Sequence, residues 1–176
     1  RERLSFYEDL YRDIFALTGT PQRILDIGCG LNPVSMPFMH LKDIHYLASD
    51  FTQLDCDFLQ QYFDVMQKTF SVHGKVVQLD LLEDSDLEKL KRIEPVDVCF
   101  MFKLADILDR KRHKRSELVI RAVPAQYVVV SFSTKTISGQ AMDRPRRGWF
   151  EMMLKRLGYS YDLIEKKNEI FYVVKK

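Results

Sequence analysis

Ile24-Leu25-Asp26-Ile27-Gly28-Cys29-Gly30-Leu31-Asn32-Pro33 decides how this chain folds. A β-branched and leucine strand runs into an acidic residue and two spaced glycines, and a helix start follows. Glycines let the backbone turn tightly and come close to a ligand. Asn32 is placed to cap the next helix, with Pro33 preset at its first position. A strand-to-helix turn of this kind grips a nucleotide-like cofactor. The third glycine of a dinucleotide fingerprint is missing. Asp26, two residues before the first glycine, instead suits the ammonium at the methionine end of S-adenosylmethionine (SAM). A turn that binds nothing is the competing reading.

Working outward, Leu4, Tyr7, Tyr11, Ile14 and Phe15 recur at helical spacing, and Gly19 with Pro21 stops that helix before the strand. A second strand over Ile44 to Ala48 reaches Asp50, and Leu54, Phe58, Val65 and Met66 mark a helix. A third strand, Lys75 to Leu79, closes on Asp80 and leads to an acidic helix around Asp86 to Ile93. Val96 to Phe102 is near-continuously apolar, as a strand buried on both faces is. A charged helical stretch then leads to a fifth strand, Tyr127 to Phe132. Strands alternating with helices imply a parallel sheet covered on both sides. Tyr159 to Glu165 and Ile170 to Val174, joined by Lys166-Lys167-Asn168-Glu169, are too close for a crossover helix and must pair as an antiparallel hairpin. The expected architecture is one α/β domain over residues 1–176. It is Rossmann-like, with a mostly parallel seven-stranded sheet closed by a C-terminal antiparallel hairpin, and so resembles the SAM-dependent methyltransferase fold.

A chain of 176 residues is long enough to bury a substantial core. No apolar run approaches the roughly 20 residues that span a bilayer, and no secretory signal is visible, so a cytoplasmic protein without a membrane partner is expected. Cys29, Cys56 and Cys99 are odd in number and widely spaced, which indicates neither a disulfide framework nor a zinc site. They read as two buried thiols and a loop residue, Cys29. The net charge is only +2, so a nucleic-acid partner has to be argued from where the bases sit.

Ligands of an open parallel sheet bind beyond the carboxyl ends of its strands. Asp26, Asp50 and Asp80 fall at three successive ends. Asp50, 20 residues beyond the turn at Gly30, suits the hydroxyls of a ribose. Asp80 and the backbone of Leu81 then face the adenine. Each aspartate alone reads equally as a cap or a solvated loop residue; the three together favour the cofactor. Methyl transfer is an in-line displacement, and alignment is the enzyme's main contribution. The fourth strand ends in Phe102-Lys103-Leu104-Ala105-Asp106, with no Asn/Asp-Pro-Pro-Tyr/Phe tetrapeptide for an exocyclic amine, and no Pro-Cys nucleophile is present. These features favour an acceptor that is already nucleophilic, such as guanine N7.

Arg110-Lys111-Arg112-His113-Lys114-Arg115 is the densest basic run, and Arg144, Arg146 and Arg147 form a second cluster before Trp149. Both read either as solvated faces or as phosphate contacts. The second cluster, beyond a flexible Ser138-Gly139 segment, is placed to overhang the pocket. Trp149 and Phe150 open an apolar helix continued by Met153 and Leu157; they read as core, with base stacking the minor alternative.

With these pieces in place, the sequence resembles the aminoglycoside-resistance 16S ribosomal RNA (guanine-N7) methyltransferases, the ArmA, RmtB and Sgm group. The carriers are Arg1-Glu2-Arg3-Leu4, Leu25 to Pro33, Phe102-Lys103-Leu104, Val130-Ser131-Phe132, Trp149-Phe150 and Tyr172-Val173-Val174-Lys175-Lys176. The likeness covers nearly the whole chain and is to the catalytic domain, without the helical N-terminal extension that the family carries. It implies that Arg1 reaches the SAM carboxylate and that Gly28 and Gly30 line the cofactor. It also implies Asp50 on the ribose, Asp80 and Leu81 at the adenine, and Asn32 and Lys103 near the reacting end. A guanine of the decoding site in the 30S subunit would be turned out and held by Ser131 and Lys135. Arg110, Arg112, Lys114, Arg144, Arg146 and Arg147 would meet phosphates, and the protein would act as a monomer. Ser131-Phe132-Ser133-Thr134-Lys135 departs from the family's Ser-Phe-Pro-Thr-Arg, and lysine lacks the planar fork of arginine. The loop that follows is shorter and poorer in glycine. The alternatives are the same fold acting on another RNA, a protein or a small molecule, and a non-catalytic RNA-binding relative.

Overall fold

The computed structural model describes residues 3–135, 140 and 145–176, apart from the side chain of Thr69. Seven strands form one sheet in the order β3-β2-β1-β4-β5-β7-β6. The strands are β1 (Arg23–Ile27), β2 (Ile44–Asp50), β3 (Val72–Gln78), β4 (Val96–Phe102), β5 (Ala125–Ser133), β6 (Ser160–Lys166) and β7 (Glu169–Lys175). The first five run parallel, and β7 lies antiparallel between β5 and β6. The expected architecture is therefore observed, with the last strand inserted inside the hairpin edge.

Alternation along the central strands builds two cores. Leu25, Ile27, Cys99, Met101, Val128 and Val130 face one side, and Ile24, Val98, Phe100 and Val129 the other. The first side is covered by α3 (Asp84–Lys91), α4 (Ala105–Lys111), α5 (Arg115–Ala122) and α6 (Gly148–Leu157). The second is covered by α1 (Tyr7–Thr18) and α2 (Gln53–Thr69), with a 3-10 segment, Asn32–Met39. Each large apolar side chain so buried contributes roughly 1.5–3 kcal/mol.

Several local expectations change. The segment after the glycine turn is 3-10 and not an α-helix, with Pro37 inside it, and Leu31 occupies its N-cap. Asn32 is thus a first-turn residue rather than a cap, and its side chain is used elsewhere. In α2, Leu54, Phe58 and Val65 are exposed, while Cys56, Leu59, Phe63 and Met66 are buried. That helix is apolar on more than one side, and packing on β2 and β3 selected the other face. The hairpin turn is Lys167-Asn168, because Lys166 already pairs with Glu169; Asn168 takes the left-handed conformation that asparagine tolerates. All three cysteines are free and buried, Cys29 included. Among the described residues no helix is long and apolar enough to cross a membrane.

Candidate active site

The site lies at the carboxyl edge of the parallel strands. After β1 the chain passes through Gly28 (φ 55°) and Gly30 (φ 49°), both in the left-handed region. A Cβ on Gly28 would sit 2.7 Å from Leu104 Cδ2, whereas one on Gly30 would meet nothing within 4 Å. Gly28 is therefore required by backbone and packing together. Gly30 leaves open space beside the strand ends.

Asp50 closes β2 and holds this turn. Its Oδ2 accepts from the Gly30 amide at 2.9 Å, and its Oδ1 accepts from the amides of Phe51 and Thr52 at 2.8 and 3.3 Å. Asp80 follows β3; its Oδ1 accepts from the Leu82 amide at 2.9 Å, and its own amide donates to Asp86. Leu81 beside it is buried, and its carbonyl accepts from Arg115 Nε. The three aspartates thus stand at or just beyond successive strand ends.

Asp26 is fully buried. Tyr46 Oη donates to its Oδ2 at 2.7 Å and Asn32 Nδ2 at 2.9 Å, while its Oδ1 is buried with no hydrogen-bond partner. Burial pushes the carboxyl up to about 6, against the opposing pull of the Asn32 and Tyr46 hydrogen bonds. A buried carboxylate oxygen without a donor is costly and poised for a cation.

A second cluster lies beside it, built on Glu169, which is only 2% exposed. Arg3 Nε and Nη2 donate to its two oxygens at 2.8 and 2.7 Å, and the Ser131 hydroxyl donates to Oε1 at 2.5 Å. Lys103 Nζ lies 3.5 Å from Oε2. Arg3 Nη1 reaches Asn32 Oδ1 at 3.4 Å, with the guanidinium 4.9 Å over the Phe102 ring. Burial acts to lower the Arg3 pKa, but the Glu169 hydrogen bonds and charge outweigh it and raise the value. Lys103 has a left-handed backbone (φ 56°), and its amide donates to the Ser131 carbonyl and hydroxyl oxygens at 3.1 and 3.0 Å.

Ser131, expected to help hold the guanine, is fully buried, and its hydroxyl donates to Glu169. Arg3 and Glu169 were not singled out from the sequence. The family-like Arg1-Glu2-Arg3-Leu4 was the signal for Arg3, but Glu169 had none. Lys135 is half-buried just beyond β5, its amide donating to Ser133 Oγ at 3.2 Å.

The basic run is not one helix face. Arg110 and Lys111 end α4, Lys114 turns the chain with φ 59°, and Arg115 begins α5 fully buried. Arg115 donates to the carbonyls of Leu81 and Glu83 and to Asp84, so it cannot meet a phosphate. Arg112 also pairs with Asp84 while remaining half exposed. In the second cluster Arg146 makes a forked pair with Glu151. Arg147 is largely covered and donates to Asp106 and the Ser133 carbonyl. Arg1, Arg144, Ser138, Gly139, Ala141 and Met142 lie outside the described residues. Phe150 is core as expected, but Trp149 is 40% exposed and meets Phe132 edge-on. It lies one position off the buried Phe150, Met153 and Leu154 stripe of α6.

No group of metal-ligating side chains is assembled among the described residues. The unpartnered Asp26 oxygen, the open side of Gly30 and the carboxylates at the next two strand ends fit a cationic nucleoside. This sheet order with this edge is the fold of the SAM-dependent methyltransferases. The chain belongs to the ribosomal RNA methyltransferase (FmrO) family, whose model matches residues 1–173. It is 30% identical over 179 residues to the 16S rRNA (guanine(1405)-N(7))-methyltransferase of Micromonospora echinospora, covering 100% of this chain and 62% of that protein. The Proteus mirabilis protein of the same name is 29% identical over 181 residues, covering 99% of this chain and 61% of the relative. The chain thus spans about three-fifths of the length of these relatives. Among solved structures it is similar to the 16S rRNA methylase ArmA, with a TM-score of 0.76 and 25% identity over 99% of this chain and 84% of that one. The methylase RmtF, solved with S-adenosyl-L-homocysteine, shares the fold at a TM-score of 0.75 and 21% identity, over 100% of this chain and 64% of that one.

Proposed function

We propose that this chain is the catalytic part of a SAM-dependent methyltransferase of the aminoglycoside-resistance type that modifies guanine N7 in the decoding site of 16S rRNA. It acts as a cytoplasmic monomer on the 30S subunit. What carries the reading is Asp26, a carboxylate buried with one oxygen unpartnered beneath a glycine turn, in a chain matched almost end to end by a ribosomal RNA methyltransferase family. The names of the curated relatives supply the RNA and the atom.

SAM, when bound, supplies an electrophilic methyl group. Asp26 offers its charge to the ammonium, and Arg1 takes the carboxylate. Gly28 and Gly30 line the cofactor, Asp50 accepts from the ribose hydroxyls, and Asp80 with the Leu81 backbone meets the adenine. Asn32 and Lys103 stand at the reacting end, where a buried, ordered setting favours alignment of donor and acceptor. Guanine N7 has an in-plane lone pair and no proton to lose, so no side chain has to act as a base. Lys135 holds the extruded guanine, and Arg110, Arg112, Lys114, Arg144, Arg146 and Arg147 follow the phosphates. For Arg112, Arg146 and Arg147 this means exchanging an internal carboxylate for a phosphate.

The test is incubation of 30S subunits with radiolabelled SAM, followed by mapping of the modified base through strand scission at 7-methylguanine. Label at one guanine of the decoding site is expected. Label absent from 16S rRNA, or found in protein, would overturn the assignment.

A further inference from the structure

Glu169 joins parts of the site that come from four places in the chain. It opens β7, whose antiparallel course brings its first residue opposite Ser133, at the carboxyl end of β5. There it grips Lys103 twice. Its Oε1 accepts the Ser131 hydroxyl proton, and the same hydroxyl accepts the Lys103 amide at 3.0 Å, on a backbone held at φ 56°. Its Oε2 lies 3.5 Å from the Lys103 ammonium. It also reaches Asn32 through Arg3, which uses two nitrogens on Glu169 and a third on the Asn32 carbonyl oxygen. With Asn32 Nδ2 committed to Asp26, the carboxamide is held at both ends.

A buried ion pair is a poor device for stability, since well-packed apolar side chains stabilise as well or better. A left-handed lysine backbone is likewise unfavourable and persists only where its surroundings impose it. Both features converge on one carboxylate and on two residues of the reacting end. We propose that Glu169 is a positioning residue for that end: it sets the ammonium of Lys103 directly, the Lys103 backbone through the Ser131 hydroxyl, and the Asn32 carboxamide through Arg3. The inference rests on the reading of Lys103 and Asn32 given above. It makes the terminal hairpin part of the site as well as of the fold.

The test is Glu169→Gln, which keeps the shape and an acceptor for Ser131 but cannot pair with two cations. SAM affinity is read by calorimetry, and kcat and the KM for 30S subunits by methylation, at a temperature where a melt shows the variant folded. We expect SAM affinity and kcat each to fall by about 10–100-fold, by analogy with the loss of outer partners that orient metal ligands, with the KM for 30S unchanged. A folded variant with wild-type SAM affinity and wild-type kcat overturns the proposal and leaves Glu169 a structural pin. If Glu169→Gln does not fold, Ser131→Ala cuts the arm to Lys103, and Arg3→Lys keeps the charge but removes the fork to Asn32. Both at wild-type kcat and SAM affinity overturn the proposal equally. A wild-type protein that binds SAM yet leaves 16S rRNA unlabelled overturns the function, while the variants' SAM affinities still decide the role of Glu169. A wild-type protein that does not bind SAM overturns both.

Discussion

Asp26, the carboxylate proposed to meet the SAM ammonium, should tie stability to cofactor binding through one buried group, and Asp26→Asn tests the link. Burial raises the carboxyl from 3.8 to about 6, with Asn32 and Tyr46 pulling the other way. At 1.36 kcal/mol per pK unit, this shift of roughly two units is worth about 3 kcal/mol. The native state holds the proton more tightly than the unfolded chain. The stabilising contribution is therefore fully present below about pH 4 and is lost as pH rises through about 6. Above pH 7 the ionised Asp26 leaves the native state about 3 kcal/mol less stable than a neutral carboxyl would. Asparagine does not titrate. Its amide oxygen can still accept from Tyr46 and Asn32, at the cost of a buried NH2 worth roughly 1–3 kcal/mol. Urea unfolding of both proteins between pH 4 and 8, followed by the single tryptophan, Trp149, measures the difference. The wild-type stability minus that of Asp26→Asn should fall by about 3 kcal/mol across the interval. A difference that is flat, or that rises with pH, would refute the reasoning. In parallel, SAM affinity should fall below the wild type's in the variant above about pH 6, and the two should converge as pH drops below about 6 and Asp26 takes up its proton.

Gly28→Ala and Gly30→Ala share a left-handed backbone but not their surroundings. The first should cost about 2–4 kcal/mol, from backbone strain plus the displaced Leu104 side chain, and the second about 1–2 kcal/mol from strain alone. Denaturant melts give the order, while SAM titration of Gly30→Ala should show weaker binding as its methyl enters the open space. The basic run should split likewise. Arg115→Met orphans the Leu81 carbonyl, at roughly 1–3 kcal/mol, removes one of the two donors to the Glu83 carbonyl, and loosens the loop proposed to meet the adenine, so stability and SAM affinity fall together. Lys114→Ala should change stability by less than about 0.5 kcal/mol and weaken RNA binding with a shallower salt dependence.

The elements that carry the fold were legible because their signals are local. The apolar run Val96–Phe102 is β4 to the residue, and the short Lys166 to Glu169 connection excluded a crossover helix. The aspartates at the strand ends followed from the same rhythm. The helix at α2 was legible but its buried face was not, because its apolar pattern admits two faces, and the basic run misled because it spans a helix end, a left-handed turn and a buried helix start. Composition makes Arg112, Lys114 and Arg115 alike. Burial beside Asp84 and the Leu81 carbonyl sets Arg115 apart.

Hydrophobic alternation, turn chemistry and the acidic residues beside the glycines therefore determined the sheet, its edge and the kind of ligand that edge suits, because each acts over a few residues. Pairing across the chain determined the rest. Arg3 and Glu169 are 166 residues apart in sequence and meet only because β7 runs antiparallel between β5 and β6, carrying its first residue to the carboxyl edge. No local pattern distinguishes Glu169 from the other glutamates of the chain. Its neighbours do, since a carboxylate withdrawn from water is held only where cations and hydroxyls from other strands converge on it.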